Sequence, residues 1–236
     1  MIFQIGLENG DEGRSQAWVL GYPGCFAYGA DGNLAIAAAP QAIREYAAWI
    51  VAHCGEEWLV LDDLAVRLDE TYQVFNIDPN YDLVEQGYTV NAFFRHDWKP
   101  LQPFEIDGGL KVLSWSRSDL IETVSSLSSE TMLRLHPGER WNILGVVRHV
   151  AGAEWWYLDR LGLAFPREHL REDPFERLGQ VRERLAEVLP ALSGSKQVIG
   201  VDGELWSPRK LLRRAAWHER DHVQHIRKLI ELSSKG

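Results

Sequence analysis

The spacing of apolar residues changes near residue 110, and that change limits the folds open to this chain. Before it, apolar residues fall in short runs broken by Gly, Asn, Asp and Pro, the pattern of strands and turns. After it, they recur at helical spacing over long segments. A chain of 236 residues with 45% hydrophobic residues can fill two such cores. The expectation is an α+β protein: a small α/β domain over residues 1–108, then an all-α, up-and-down four-helix bundle over residues 109–236.

In the first part, residues 17–22 and 25–28 read as strands around the turn Pro23-Gly24, and residues 3–7 as a further strand. Residues 34–53 carry Ile43, Ala47, Ile50 and Val51 on one helical stripe. Pro40 makes that helix begin nearby or kink, because an interior proline costs about 3 kcal/mol. Residues 66–68 and 72–77 are strand candidates, and 90–94 and 98–101 form an irregular connection. In the second part, Ser116 and Asp119 have capping-box spacing and would open a helix over 117–126. A second helix covers 142–161. Asp173-Pro174 opens a third, to about 192, and Ser207-Pro208 a fourth, to about 232.

Charge narrows the partners. A net charge of −9 and a pI near 5.4 argue against broad contact with nucleic-acid phosphates. The local run Arg209, Lys210, Arg213 and Arg214 reads as a solvated helix face. The N-terminal residues lack the basic and apolar regions of a signal peptide, and no run has the length of a membrane span. Cys25 and Cys54 form no CxxC motif and read as free thiols. A cytoplasmic protein with no membrane or nucleic-acid partner is expected.

Three histidines carry the chemistry. His218 and His222 sit four residues apart, which places two imidazoles on one helical face. His149 lies on the apolar stripe of the preceding long helix but one, among Ile143, Val146, Val147 and Val150. Together they would supply three ligands and leave one tetrahedral position for water or substrate, as in catalytic rather than structural zinc sites. His225 borders the same face as an outer or surface residue. Glu219 and Asp221 point off that face and read as solvated. Glu154, five residues past His149, lies on another face and offers no general base. Trp155, Trp156, Trp206 and Trp217 read as core, with pocket lining as the alternative.

Two resemblances add to this reading. Residues 1–77, through Gly21-Tyr22-Pro23-Gly24-Cys25-Phe26-Ala27-Tyr28-Gly29 and the helix holding Ala42-Ile43-Arg44-Glu45-Tyr46, resemble the HicB-like antitoxin fold, without its DNA-binding tail. Residues from about 112 to 233 resemble the DinB/YfiT-like metal-binding four-helix superfamily. The likeness rests on Leu127 to Thr131, Pro137, Trp141-Asn142-Ile143 with His149, and His218-Glu219-Arg220-Asp221-His222. It departs after the last histidine, where the usual Arg-Gly-Gln is Val223-Gln224-His225. The resemblance implies His149, His218 and His222 as ligands of a divalent metal ion, zinc or nickel foremost, and pairing as a homodimer. It also implies a thiol-dependent S-transferase or a hydrolase acting on a small molecule, with a low-molecular-weight thiol as co-substrate for transfer. The alternative is a non-catalytic metal-binding regulator whose HicB-like domain binds a partner.

Overall fold

Helix and strand ends follow local signals in the sequence. The computed structural model describes residues 1–234 and divides them into two compact units, 1–100 with 196–210, and 101–195 with 211 onward. The units interleave in the sequence, whereas the pattern of the chain suggests one linear division after residue 108.

In the first unit, β1 (Ile2–Asp11), β2 (Arg14–Val19), β3 (Phe26–Gly29) and β4 (Ala65–Gln73) form one sheet in the order β3-β2-β1-β4. β1 and β2 are antiparallel; β4 returns parallel to β1 after α1 (Gly32–Cys54). Asp31 caps α1 by accepting from the Leu34 N–H at 2.9 Å, and the helix runs through Pro40. The register alternates two chemistries. Ile5 opposite Val19, and Leu7 opposite Ala17, present buried apolar side chains on one face, which share the core with Ala39, Ile43 and Ile50 of α1.

The other face carries a polar row beside the buried Trp18. Pairings place Tyr28, Gln16, Glu8 and Tyr72 in one row across the four strands. Glu8 is fully buried; it accepts from Trp18 Nε1 at 2.7 Å and from the Ala92 N–H at 2.9 Å. A second sheet joins β5 (Phe75–Ile77), β6 (Leu83–Val84) and β7 (Tyr88–Val90). A hairpin of β8 (Ile199–Val201) and β9 (Glu204–Trp206) turns at Asp202-Gly203, both at positive φ (50° and 75°). Its Glu204 accepts from Tyr88 Oη and from Lys210 Nζ, each at 2.5 Å, and Lys210 also donates to the Asn91 carbonyl. Burial, then Glu204 and Glu8, push the Tyr72 phenol up to about 12. These bonds explain why residues 196–210 belong with the first unit.

The second unit holds α2 (Pro103–Ser125), the single-turn α3 (Ser129–Leu133), α4 (Ile143–Asp159), α5 (Pro174–Val188) and most of α6 (Pro208–Ser234). α2 starts well before the expected residue 117, because Pro103 sits in its first turn and Gln102 with Glu105 forms its capping box. Ser116 therefore caps nothing: it is buried mid-helix and donates to the Val112 carbonyl at 2.8 Å. The other starts are as read: Asn142 and Asp173 cap α4 and α5.

The helix directions differ from the expected up-and-down bundle. The Gly194 N–H bonds the Leu101 carbonyl at 2.9 Å, so α5 ends where α2 begins. Leu120 and Val124, late in α2, share a core with Ile143 and Val146, early in α4, and with Ile226 and Leu229, late in α6. The order is up, down, down, up. Residues 160–173 make this possible by running back along α5: Arg184 Nε donates to the Leu163 carbonyl, and the Arg171 N–H to Gln180 Oε1. At ~3.3 Å per residue that segment easily spans the roughly 22 Å of α5.

Candidate metal centre

Antiparallel α4 and α6 bring His149 against His218 and His222. The Nε2 atoms of His218 and His149 lie 3.0 Å apart, and those of His222 and His218 3.2 Å. All three ligand atoms fall within 4.8 Å of one another. Ligands at ~2.0–2.1 Å from a tetrahedral ion are separated by about 3.3 Å, so this donor set fits a divalent cation. His218 and His222 are buried and His149 half-buried. Burial first, then His222, His149 and Arg214, hold the His218 imidazole well below its ordinary pKa. It is therefore neutral near pH 7, the form a metal requires.

The neighbouring side chains are aromatic and cationic. Trp141, just before the cap of α4, stacks on His149 with centroids 4.4 Å apart and planes 23° from parallel. Tyr157 and Trp217 meet His218 edge-on at 5.9 and 5.6 Å. The Arg214 guanidinium lies over the Trp217 ring at 4.5 Å and the Tyr157 ring at 5.9 Å. Of the four tryptophans considered from sequence, only Trp217 reaches the histidines in these contacts. Trp155 donates to the Phe165 carbonyl, Trp156 packs on Tyr157, and Trp206 is buried in the first unit. His225 stands outside the triad: its ring is 5.9 Å from that of His222, and its Nε2 is 2.9 Å from Glu139 Oε2. Hydrogen bonds from Lys228, then His225, hold the Glu139 carboxyl below the usual range.

Two sequence readings are corrected. Glu219 is 1% exposed rather than solvated, and it binds Arg117 and Arg182. The basic run on α6 is likewise buried: Arg209, Lys210, Arg213 and Arg214 are each at most 9% exposed. Lys210 pairs with Glu204, and Arg209 donates to the Lys99 and Pro100 carbonyls. These partners are far away in sequence, so helical periodicity alone gives no sign of them.

Comparison with curated proteins gives no match. Among solved structures, one similar chain is YfiT from Bacillus subtilis, described as "a probable metal-dependent hydrolase with an unusual four-helix bundle topology". It is 16% identical, with a TM-score of 0.47, over 57% of this chain and 90% of its own. Residues 113–226, which include all three histidines, match the model of the DinB superfamily.

Proposed function

We propose that the second unit is a divalent-metal-dependent enzyme acting on a small, negatively charged molecule, by hydrolysis or by transfer to a low-molecular-weight thiol. The observation that carries this reading is the convergence of the three Nε2 atoms of His149, His218 and His222. A divalent ion held by three neutral imidazoles keeps its full charge, acts as a Lewis acid and lowers the pKa of a bound water or thiol. The protein's own residues supply the rest. Burial keeps His218 neutral and ready to bind, Trp141 fixes the His149 ring plane, and Tyr157 and Trp217 keep water from His218. Arg214 adds a cation beside the site, which favours an anionic substrate. Zinc and nickel both suit imidazole ligands.

The sequence offers no evident acid–base residue beside the triad, which favours a second reading, a metal-binding regulator whose HicB-like first unit binds a partner. One experiment tests the metal and then separates the two. Metal content is measured by mass spectrometry on untagged wild type and His222→Ala, followed by hydrolysis and thiol-transfer assays on the loaded protein. Near-stoichiometric ion in the wild type, lost in the variant, with turnover of either kind, is expected. Bound ion without turnover across both assay classes favours the regulator. Wild type that takes up neither zinc nor nickel overturns both.

A further inference from the structure

A buried charge cluster of the second unit contains none of the histidines. Arg117 of α2, Glu154 of α4, Arg182 of α5 and Glu219 of α6 form a closed square at the centre of the four helices. Arg117 bonds Glu154 at 2.8 Å and also Glu219. Arg182 bonds Glu154 at 2.7 and 2.9 Å and Glu219 at 2.5 Å. Each arginine also donates to a carbonyl of the other's helix, Arg117 to Leu178 and Arg182 to Leu113. The carboxylates are 5% and 1% exposed, so all of this takes place away from water.

The two glutamates stand on the two helices that carry the histidines. Glu154 shares α4 with His149, and Glu219 follows His218 on α6. Both carboxylates are bound by the same two guanidiniums, whose planar forks fix direction as well as distance. The rotation of α4 against α6, and hence the separation of His149 from His218 and His222, is set through that shared clamp. Apolar packing alone would hold the helices together but tolerates small slides and rotations. A tetrahedral site does not, since displaced ligands cost affinity.

From this arrangement we infer that Arg117, Glu154, Arg182 and Glu219 are positioning residues for the three-histidine site, keying its two ligand helices to one geometry. The inference rests on the metal reading above. It requires that the clamp matter for metal geometry beyond its part in stability, and the two separate cleanly. Exchanging a buried ion network for apolar residues of similar volume often leaves stability unchanged or higher. The test is the quadruple variant Arg117→Met, Glu154→Leu, Arg182→Met, Glu219→Leu, beside Arg182→Lys, which keeps the charge and loses the fork. For each, urea unfolding of the metal-free protein is compared with zinc affinity by chelator competition and with the visible spectrum of the cobalt(II) form.

The quadruple variant is expected to fold, with zinc affinity lowered by roughly 10–100-fold and the cobalt bands shifted. Arg182→Lys should show a smaller loss of the same kind. A folded quadruple variant with wild-type affinity and spectrum overturns the inference while leaving the metal reading intact. If the quadruple variant does not fold, wild-type affinity and spectrum in Arg182→Lys overturn it. Wild type without metal overturns both readings together.

Discussion

The hairpin of α2 and α4 and the hairpin of α5 and α6 are built on one plan and differ where the chemistry lies. Arg117 and Glu154 are 37 residues apart, as are Arg182 and Glu219. The offset that carries the first pair onto the second also carries Leu113 onto Leu178, and the helix cap Asn142 onto Ser207, whose Oγ accepts from the Lys210 N–H. At the same offset His149 becomes Arg214, and Tyr157 becomes His222. Between α4 and α6, one facing pair thus holds two imidazoles, and the equivalent pair a guanidinium and a phenol. The repeated positions make the frame, and the unlike ones make the site.

That contrast can be broken in four ways. Replacing His218 by Ala should affect metal binding most, lowering zinc affinity beyond the ~100-fold upper end seen for outer partners while leaving helicity unchanged. Wild-type zinc affinity in His218→Ala would mean the histidine cluster is not a metal site. Next come the two arginines. Arg117→Met and Arg182→Met each leave two buried carboxylates under-paired, so each should destabilise by about 3–5 kcal/mol in urea unfolding. Equal losses support the equivalence of the hairpins; a large difference denies it.

The caps come third. Asn142→Ala should cost about 1 kcal/mol. Ser207→Ala should cost more, because Ser207 Oγ also donates to the Asp97 carbonyl at 2.7 Å. A thermal melt of each variant ranks them. The smallest effect is on pH dependence. His218 is buried neutral, while in the unfolded chain it takes up a proton below about pH 6.5. The unfolded state then binds more protons, so the metal-free protein loses stability as pH falls through that value. Arg214→Met removes the last and smallest cause of the lowered pKa, so the loss of stability should level off at a higher pH. An unchanged lower end would mean Arg214 does not act on His218.

Much of the site was legible in the sequence because it obeys a local rule. Spacing of four residues puts His218 and His222 on one face whatever surrounds the helix. His149 could be placed on a core-facing stripe, but its meeting with the pair depends on the antiparallel packing of α4 and α6, which no local pattern encodes. Asn142, Asp173-Pro174 and Ser207-Pro208 mark helix starts that the structure has, whereas the pattern makes α2 too short, because Gly108 and Gly109 interrupt its apolar spacing. Gly109 lies where a Cβ would come within 2.6 Å of Leu212, so its place in a helix is a matter of close packing. The hairpin β8–β9 lies where the helical pattern breaks between α5 and α6, and its one local sign is the turn Asp202-Gly203. Local pattern leaves Glu219 as a solvated residue and gives Arg117, Glu154 and Arg182 no role, since each finds its partners on other helices. The direction of α5 hinged on the run of residues 160–173, a loop with no periodicity to read.

The Lys210–Glu204–Tyr88 contact gives the chain an order of assembly. A ribosome releases residue 88 long before residues 204 and 210, yet the first unit closes over all three. During synthesis, the sheet of β1 to β4 can form early and must wait with Glu8 and Tyr72 on its uncovered polar face. It is completed only when nearly the whole chain has emerged, at the moment α6 begins to form. The first unit is complete only after most of the second has been made, so a fragment cut at residue 108 lacks part of its own interior.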